Sequence, residues 1–360
     1  MANLLLLILK HPLQALLFTH SFLSQALLVL LRRLLLPHFP VYQPLRLQLQ
    51  RAYLSSASLM FPDLTHRLPV GNLPARRARK VNENSPAYLI PGTRHVSDFA
   101  RKEKGTTPKC VVLYAHGGGY ARGERARGEA RMYLNYMERW VASARKTSLD
   151  LAFFTVEYPL STKESHPAQR DAFITAYRFL LDSDVAPESI IFMGDSAGGG
   201  LCILSSLELK RLNLPQPAAM VLVSPWIDMT MKAHQGGNPG VESDYFLMAN
   251  NAIPGLVRLF IGDRSPESPE VNPLCHKPDE LQDLSPQLIF TGGAEFARQD
   301  SEQWAELCQR AGLKYKLVIE WAQLHIYAMG SKFTAPAVRL KTDSLIIEWI
   351  KYHVAHGKPC

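Results

Sequence analysis

The chain has 360 residues, of which 47% are hydrophobic, so it can bury a large core and suits one α/β domain of about 250 to 300 residues with an appendage. The net charge of +8 is uneven, because residues 1–80 carry ten of the 40 Lys and Arg but one of the 32 acidic residues. This argues for contact with an anionic membrane surface and against a nucleic-acid-binding catalytic domain. The five cysteines are scattered, without zinc-ligand or disulfide spacing.

Residues 1–36 are predicted to form a membrane anchor or signal-anchor. Leu13 to Leu31 carries no formal charge and is followed by Arg32-Arg33, and as a helix it is about 28 Å long, nearly the thickness of a hydrocarbon core. The alternatives are an interfacial helix hairpin and a soluble helix that covers the catalytic domain. If the run spans, the basic residues after it predict a single-pass protein, which we expect at the endoplasmic reticulum, with its catalytic domain in the cytosol.

Residues 37–84 are interpreted as a basic linker with a possible contribution to a cap. The segment is punctuated by prolines and contains an amphipathic stretch, Leu45 to Met60. The run Arg76-Arg77-Ala78-Arg79-Lys80 is predicted to be a charged surface segment, since a nuclear localisation signal fits poorly after a membrane segment.

Residues 85–357 are predicted to form the catalytic domain, because strand and helix patterns alternate there. This alternation indicates a mainly parallel central sheet with helices on both faces. Residues 231–283 interrupt the pattern with many Pro, Gly and Asn, and we predict a cap insertion there. The predicted strands are 86–91, 110–115, 151–157, 189–194, 218–224, 286–292 and 314–320, and the predicted helices are 129–144, 168–181, 197–211, 299–311 and 337–353.

Two glycine-rich motifs each follow a predicted buried strand. Ile190 to Gly200 reads I-I-F-M-G-D-S-A-G-G-G, which predicts a sharp strand-to-helix turn with Ser196 at its apex. Cys110 to Tyr120 reads C-V-V-L-Y-A-H-G-G-G-Y, a loop whose backbone N–H groups can converge on an oxyanion. Either motif alone is compatible with an ordinary glycine-rich loop, but the two in these contexts form a specific pair.

With these motifs the chain resembles the hormone-sensitive-lipase-like α/β-hydrolases, and most of all the fungal membrane-associated branch that includes sterol acetate deacetylases. The resemblance covers about residues 85 to 355 and implies an α/β-hydrolase fold with a cap. Further stretches that match the family's pattern are Glu157-Tyr158-Pro159-Leu160, His166-Pro167-Ala168, Ser224-Pro225-Trp226-Ile227-Asp228, Asn272-Pro273-Leu274 and Gly292-Gly293-Ala294-Glu295.

His325 is the candidate base. A serine hydroxyl needs a base to take its proton, and in α/β-hydrolases the chain order is Ser, acid, His. His325 lies just beyond the predicted strand 314–320, where the loop at the carboxyl end of the sheet begins. None of the other histidines after Ser196 follows a strand; these are His234, His276, His353 and His356.

Glu295 is the preferred acid, although most of the family has Asp at that position. It lies in the exit loop of strand 286–292, whereas Asp300, the alternative, falls a turn into the next helix and suits a helix N-terminus. The resemblance also implies an oxyanion hole made by the backbone N–H groups of Gly118, Gly119 and Ala197. His116 and Asp195 are expected to brace their loops. Core packing is the expected role of Tyr158, Asp171 and Trp226, and positioning of these loops is the alternative.

The pattern predicts a serine carboxylester hydrolase that acts through Ser196, His325 and Glu295 and forms an acyl-enzyme. Because a membrane-attached hydrolase meets apolar substrates, we expect a lipophilic short-chain acyl ester, such as an acetylated sterol or secondary metabolite. No metal, organic cofactor or nucleic-acid partner is implied. The alternatives are a non-catalytic receptor for a hydrophobic small molecule, and an amidase that uses the same three residues.

Overall fold

The computed structural model describes residues 9–36, 43–60, 75–81, 87–101, 107–121, 129–232, 249–331 and 334–356. The sheet comprises β1 (Arg79–Val81), β2 (Ala87–Ile90), β3 (Lys109–Ala115), β4 (Asp150–Val156), β5 (Ile190–Asp195), β6 (Ala219–Val223), β7 (Gln287–Gly292) and β8 (Tyr315–Glu320). The helices are α1 (Pro12–Leu35), α2 (Leu45–Met60), α3 (Glu129–Lys146), α4 (Ala168–Asp182), α5 (Ala197–Arg211), α6 (Ala249–Ile261), α7 (Arg298–Arg310) and α8 (Pro336–His356).

The eight strands form one sheet in the order β1-β2-β4-β3-β5-β6-β7-β8, in which β2 pairs antiparallel with both β1 and β4 and all other pairs are parallel. The predicted mainly parallel sheet is therefore confirmed. Central strands such as β5 and β6 are buried along their whole length, as their unbroken apolar runs require, because helices cover both faces of a parallel sheet.

The two faces of the sheet carry separate cores. Successive side chains of a strand point to opposite faces, so Val111 and Leu113 join the core under α4, α5 and α7, while Val112 and Tyr114 join the core under α3 and α8. This arrangement places the carboxyl ends of β3, β5, β6, β7 and β8 along one edge, where the loops carrying the candidate site residues meet.

Two segments depart from the sequence prediction. The predicted surface run at Arg76–Lys80 supplies the edge strand β1, in which Arg79 lies opposite Leu89; pairing with β2 overrides the low strand propensity of charged residues. The predicted insertion 231–283 contains α6, which its Pro and Gly content did not indicate, and residues 233–248, including His234, lie outside the described part of the chain.

The N-terminal helices α1 and α2 form a hairpin. Ser21 and Gln25 of α1 contact the Ser56 hydroxyl of α2 at 3.0 Å each, and the rings of Phe18 and Phe22 meet Tyr53 edge to face. The leucines of α1 are exposed, and no residue of α1 is buried. Among the described residues, α1 is the one helix whose length and mean hydropathy of 1.5 would suit a membrane span, a property shared with signal sequences.

Candidate active site

Ser196 occupies a strained turn between β5 and α5. Its φ and ψ are 52° and −122°, a backbone conformation that residues with a Cβ rarely adopt. The turn is held from both sides, since the Ser196 N–H donates to the Val223 carbonyl at 2.8 Å and the Trp226 N–H donates to the Ser196 carbonyl at 3.0 Å. Gly198 permits the turn, because a Cβ there would overlap the carbonyl oxygen of Ala115 on β3.

His325 lies beside this serine. Its Nε2 is 2.9 Å from the Ser196 hydroxyl, although 129 positions separate the two residues in the chain. The imidazole side chain is 2% exposed and packs against the ring of Phe296, with ring centroids 4.5 Å apart. The loop after β8 therefore brings the predicted base within hydrogen-bonding distance of the predicted nucleophile.

Glu295 faces the other nitrogen of the imidazole. Its Oε2 is 3.6 Å from His325 Nδ1, somewhat longer than an N–H···O hydrogen bond, and its side chain is completely buried. The hydroxyls of Ser224 and Thr291 donate to Oε2 and Oε1, each at 2.7 Å. The buried carboxylate is therefore oriented by its two hydroxyl donors, with Oε2 facing the imidazole.

Ser224 contacts the candidate acid, a role that the sequence analysis did not assign to it. Its hydroxyl donates to Glu295 and also accepts a hydrogen bond of 3.0 Å from the backbone N–H of Ile326, the residue after His325. It thus ties the acid to the histidine loop. Its position directly after β6, at the same sheet edge as Ser196, was the signal available in the sequence.

Asp300, the alternative acid, makes different contacts. It lies in the first turn of α7 and its Oδ2 accepts hydrogen bonds from the backbone N–H groups of Ile227 and Asp228, at 2.9 and 3.0 Å. Burial raises the pKa of Asp300 to about 7. This carboxyl braces the chain after β6, whereas Glu295 is the one that faces His325.

The predicted oxyanion loop follows β3 and is fixed by the residue before the nucleophile. Gly118 and Gly119 have φ of 105° and 61°, which turn the backbone sharply. Asp195 Oδ1 accepts hydrogen bonds from the Gly117 N–H at 3.0 Å and the Tyr114 hydroxyl at 2.6 Å. Ala197 is the first residue of α5, and the first N–H groups of a helix have no partner within it.

The remaining motif residues support the loops. The ring of His116 stacks on Tyr158 with centroids 4.2 Å apart, and the Tyr158 hydroxyl donates to the His116 carbonyl at 2.7 Å, in keeping with the predicted bracing role. Trp226 is buried as predicted, at 2% exposure. The prediction that Asp171 packs in the core is wrong. Its side chain is exposed in the first turn of α4 and pairs with Arg170.

A cavity of about 230 Å³ adjoins the histidine. One wall is formed by α2, through Leu47, Gln50 and Leu54, and the opposite wall by the loop residues 323–327. The same loop is tied to the segment before α2, because the Gln43 side chain donates to the Ala322 carbonyl at 3.3 Å. The N-terminal hairpin therefore contributes to the surroundings of the candidate site.

Comparison with known proteins agrees with this architecture. Residues 112–329 match the model of a family described as alpha/beta hydrolase fold. An esterase of Acinetobacter venetianus is 28% identical over 204 residues, 57% of this chain and 63% of that protein, and an acetyl-hydrolase of Streptomyces hygroscopicus is 27% identical over 219 residues, 60% of this chain and 68% of that protein. The chain thus spans less than two thirds of the Acinetobacter esterase.

A solved structure extends the likeness beyond these alignments. EstE7, described as a hormone-sensitive lipase homologue from a metagenome library, has a TM-score of 0.63 and 25% identity, covering 85% of this chain and 92% of that chain. The likeness therefore includes nearly the whole of a solved homologue of hormone-sensitive lipase.

Proposed function

The chain belongs to the α/β-hydrolase fold family, and from this premise we propose that it is a serine carboxylester hydrolase. The observation that carries the proposal is the 2.9 Å approach of His325 Nε2 to the Ser196 hydroxyl, with the buried Glu295 on the far side of the imidazole. A serine at a strained turn with a base in reach is the arrangement that nucleophilic acyl transfer requires.

In the acylation step, the Ser196 oxygen attacks the ester carbonyl carbon while His325 takes the hydroxyl proton. The carbonyl oxygen becomes negative and is stabilised by the N–H groups of Gly118, Gly119 and Ala197, each typically worth about 3 kcal/mol. When the C–O bond to the alcohol breaks, the imidazolium returns its proton to the leaving oxygen. Glu295 stabilises the imidazolium through its negative charge.

In the deacylation step, water takes the place of the alcohol. His325 removes a proton from that water, the resulting hydroxide attacks the acyl-enzyme, and the Ser196 oxygen leaves with the proton. The products are a carboxylic acid and the regenerated hydroxyl, and the cycle uses no group beyond these residues and water.

The substrate we propose is a lipophilic short-chain acyl ester, such as an acetylated sterol or secondary metabolite. Two observations support it: a relative bears the name acetyl-hydrolase, and a largely apolar cavity adjoins His325. An amidase would use the same residues. A receptor without turnover is disfavoured, because the base lies within hydrogen-bonding distance of the nucleophile.

The N-terminal hairpin is proposed to attach the enzyme to a membrane. Ser21 and Gln25 of α1 face α2 while its leucines face outwards, with Leu16 and Leu34 exposed by 68% and 75%. Because α1 contacts α2 from Phe18 to Arg33, and α2 packs on the histidine loop, these contacts favour an interfacial hairpin over an isolated span. Its basic residues suit an anionic surface.

The function is tested by replacing the nucleophile and the base separately. Ser196→Ala and His325→Gln should each abolish hydrolysis of 4-nitrophenyl acetate, with losses on the order of 10⁴ or more in kcat. Ser189→Ala is the matched control, since Ser189 lies at the opposite end of the same strand and should change nothing. Ester hydrolysis that persists in purified Ser196→Ala protein would rule the mechanism out.

A further inference from the structure

A serine hydrolase must accommodate the acyl group and the alcohol of its ester substrate in different places. The carbonyl oxygen lies at the oxyanion loop, and the leaving oxygen lies next to the base that protonates it. The space beside Gly119 therefore limits the size of the acyl group, and the space beside His325 limits the size of the alcohol. This reasoning rests on the proposed hydrolase function.

The space beside the oxyanion loop is occupied by one side chain. A methyl group placed on Gly119 would lie 2.7 Å from Cδ1 of Leu256 and 3.5 Å from its Cγ and Cδ2, so the Leu256 side chain lies directly against this glycine. Leu256 is on α6, the described helix of the predicted insertion. An acyl chain that extends from the carbonyl along this loop meets Leu256 after a few carbons.

Leu256 is held in this place by the packing of α6. The ring of Phe260, one turn further along the helix, stacks on Tyr120 with centroids 3.8 Å apart and an interplanar angle of 10°. The Phe260 carbonyl also accepts a hydrogen bond of 2.8 Å from the His166 N–H. Both rings in this stack are fully buried. Since α6 is packed against the loop that carries Gly119, moving the helix and Leu256 away from this loop would break a buried contact.

The space beside the base is open. The cavity of about 230 Å³ next to His325 is larger than the cavity of about 150 Å³ that holds a benzene molecule in an engineered protein core. One wall of the cavity is a single face of α2, formed by Leu47, Gln50 and Leu54. These residues are three and four positions apart, a spacing that places them on the same side of a helix. Among the described residues, Gln50 Oε1 is buried without a hydrogen-bond partner, so it can accept a hydrogen bond from a ligand.

We infer that the site divides its substrate into a short acyl group limited by Leu256 and a bulky apolar alcohol held between α2 and the His325 loop. The substrate class is then the acetyl or similarly short ester of a ring-containing lipophilic alcohol, with a hydrogen-bond donor that reaches Gln50. Long-chain acyl esters of small alcohols are disfavoured substrates. The N-terminal hairpin serves as the wall of the alcohol pocket in addition to any role at a membrane.

The experiment measures two ratios of kcat/KM for each variant of the full chain. The acyl ratio compares 4-nitrophenyl octanoate with 4-nitrophenyl acetate, and the alcohol ratio compares 1-naphthyl acetate with methyl acetate. Because each ratio is taken within one variant, a partly unfolded fraction cancels. The first variant is Leu256→Ala, and its control is Leu259→Ala on the exposed side of α6. The second variant is Leu54→Trp, and its control is Leu49→Trp on another face of α2.

Leu256→Ala should raise the acyl ratio about tenfold or more and leave the alcohol ratio unchanged, since a few carbons in an apolar pocket change kcat/KM by about 10- to 200-fold. Leu54→Trp should lower the alcohol ratio about tenfold and leave the acyl ratio unchanged, while Leu54→Ala should raise the alcohol ratio. The control variants should change neither the acyl ratio nor the alcohol ratio. Variants that move both ratios together, or neither, overturn the inference while ester hydrolysis stands; a wild type that hydrolyses no ester overturns the hydrolase proposal itself.

Discussion

Replacing Glu295 by Gln isolates the charge of the acid, because the fold around this residue can be kept. The hydroxyls of Ser224 and Thr291 now donate to the carboxylate. Each hydroxyl can also accept a hydrogen bond, so both can pair with the oxygen and the NH₂ group of a glutamine. The variant should therefore fold like the wild type, with the same thermal unfolding midpoint to within a few degrees.

The expected loss of activity follows from the distance between the His325 imidazole and the Glu295 carboxylate. A full positive charge on His325 at 3.6 Å from the Glu295 carboxylate gains about 5 kcal/mol at an effective dielectric constant of about 20. Since about 1.4 kcal/mol corresponds to a factor of ten in rate, loss of this stabilisation lowers kcat on the order of 10³-fold. A wrong imidazole tautomer would enlarge the loss towards 10⁴.

The assay is steady-state hydrolysis of 4-nitrophenyl acetate, with Asp300→Asn measured alongside. Asp300 accepts its hydrogen bonds through one oxygen, so asparagine preserves them and kcat should change less than about threefold. If Asp300→Asn is the variant that loses activity and Glu295→Gln is nearly silent, the assignment of the acid is refuted and Asp300 takes the role.

Three further results are expected. Burial raises the folded-state pKa of Asp300 from 3.8 to about 7, so the wild type should lose up to about 4 kcal/mol more stability than Asp300→Asn as pH rises from 4 to 7, a difference that denaturant titration measures. Gly198→Ala should abolish both the fold and activity, because its Cβ overlaps the Ala115 carbonyl; a soluble, active variant would contradict the strained turn. A chain that begins at Pro37 should leave the membrane fraction yet hydrolyse 4-nitrophenyl acetate, and sedimentation with anionic vesicles would show a second membrane contact.

The parts of the molecule that the sequence predicted are those set by local pattern. Strands such as β5 and β6 are continuous apolar runs ended by glycine or serine, and their bounds agree with the prediction to within one or two residues. Ser196 and His325 were predicted as site residues because Ser196 directly follows β5 and His325 lies in the loop after β8. The topology then brings such positions together at one edge, whatever their separation in the chain.

The parts that escaped prediction depend on contacts between distant segments. Ser224 is 71 positions from Glu295, and nothing in the residues around either one signals the hydrogen bond between them. Two of the three residues of the edge strand β1 are charged, and the strand owes its conformation to pairing with β2. The contact of Leu256 with Gly119 also joins distant segments of the chain. A leucine in a helical pattern predicts burial, but it does not indicate which residue the side chain will contact.

The hairpin links the proposed membrane surface to the proposed chemistry through a short series of contacts. Arg33 at the end of α1 donates to the Gln43 carbonyl at 2.6 Å, and the Gln43 side chain donates to the carbonyl of Ala322, three residues before His325. The outward leucines of α1 and the alcohol pocket behind α2 are thus parts of one packed unit. An ester of an apolar alcohol that leaves a bilayer beside α1 has to cross only the thickness of this hairpin to reach the base, which favours substrates that dissolve in membranes over those that dissolve in water.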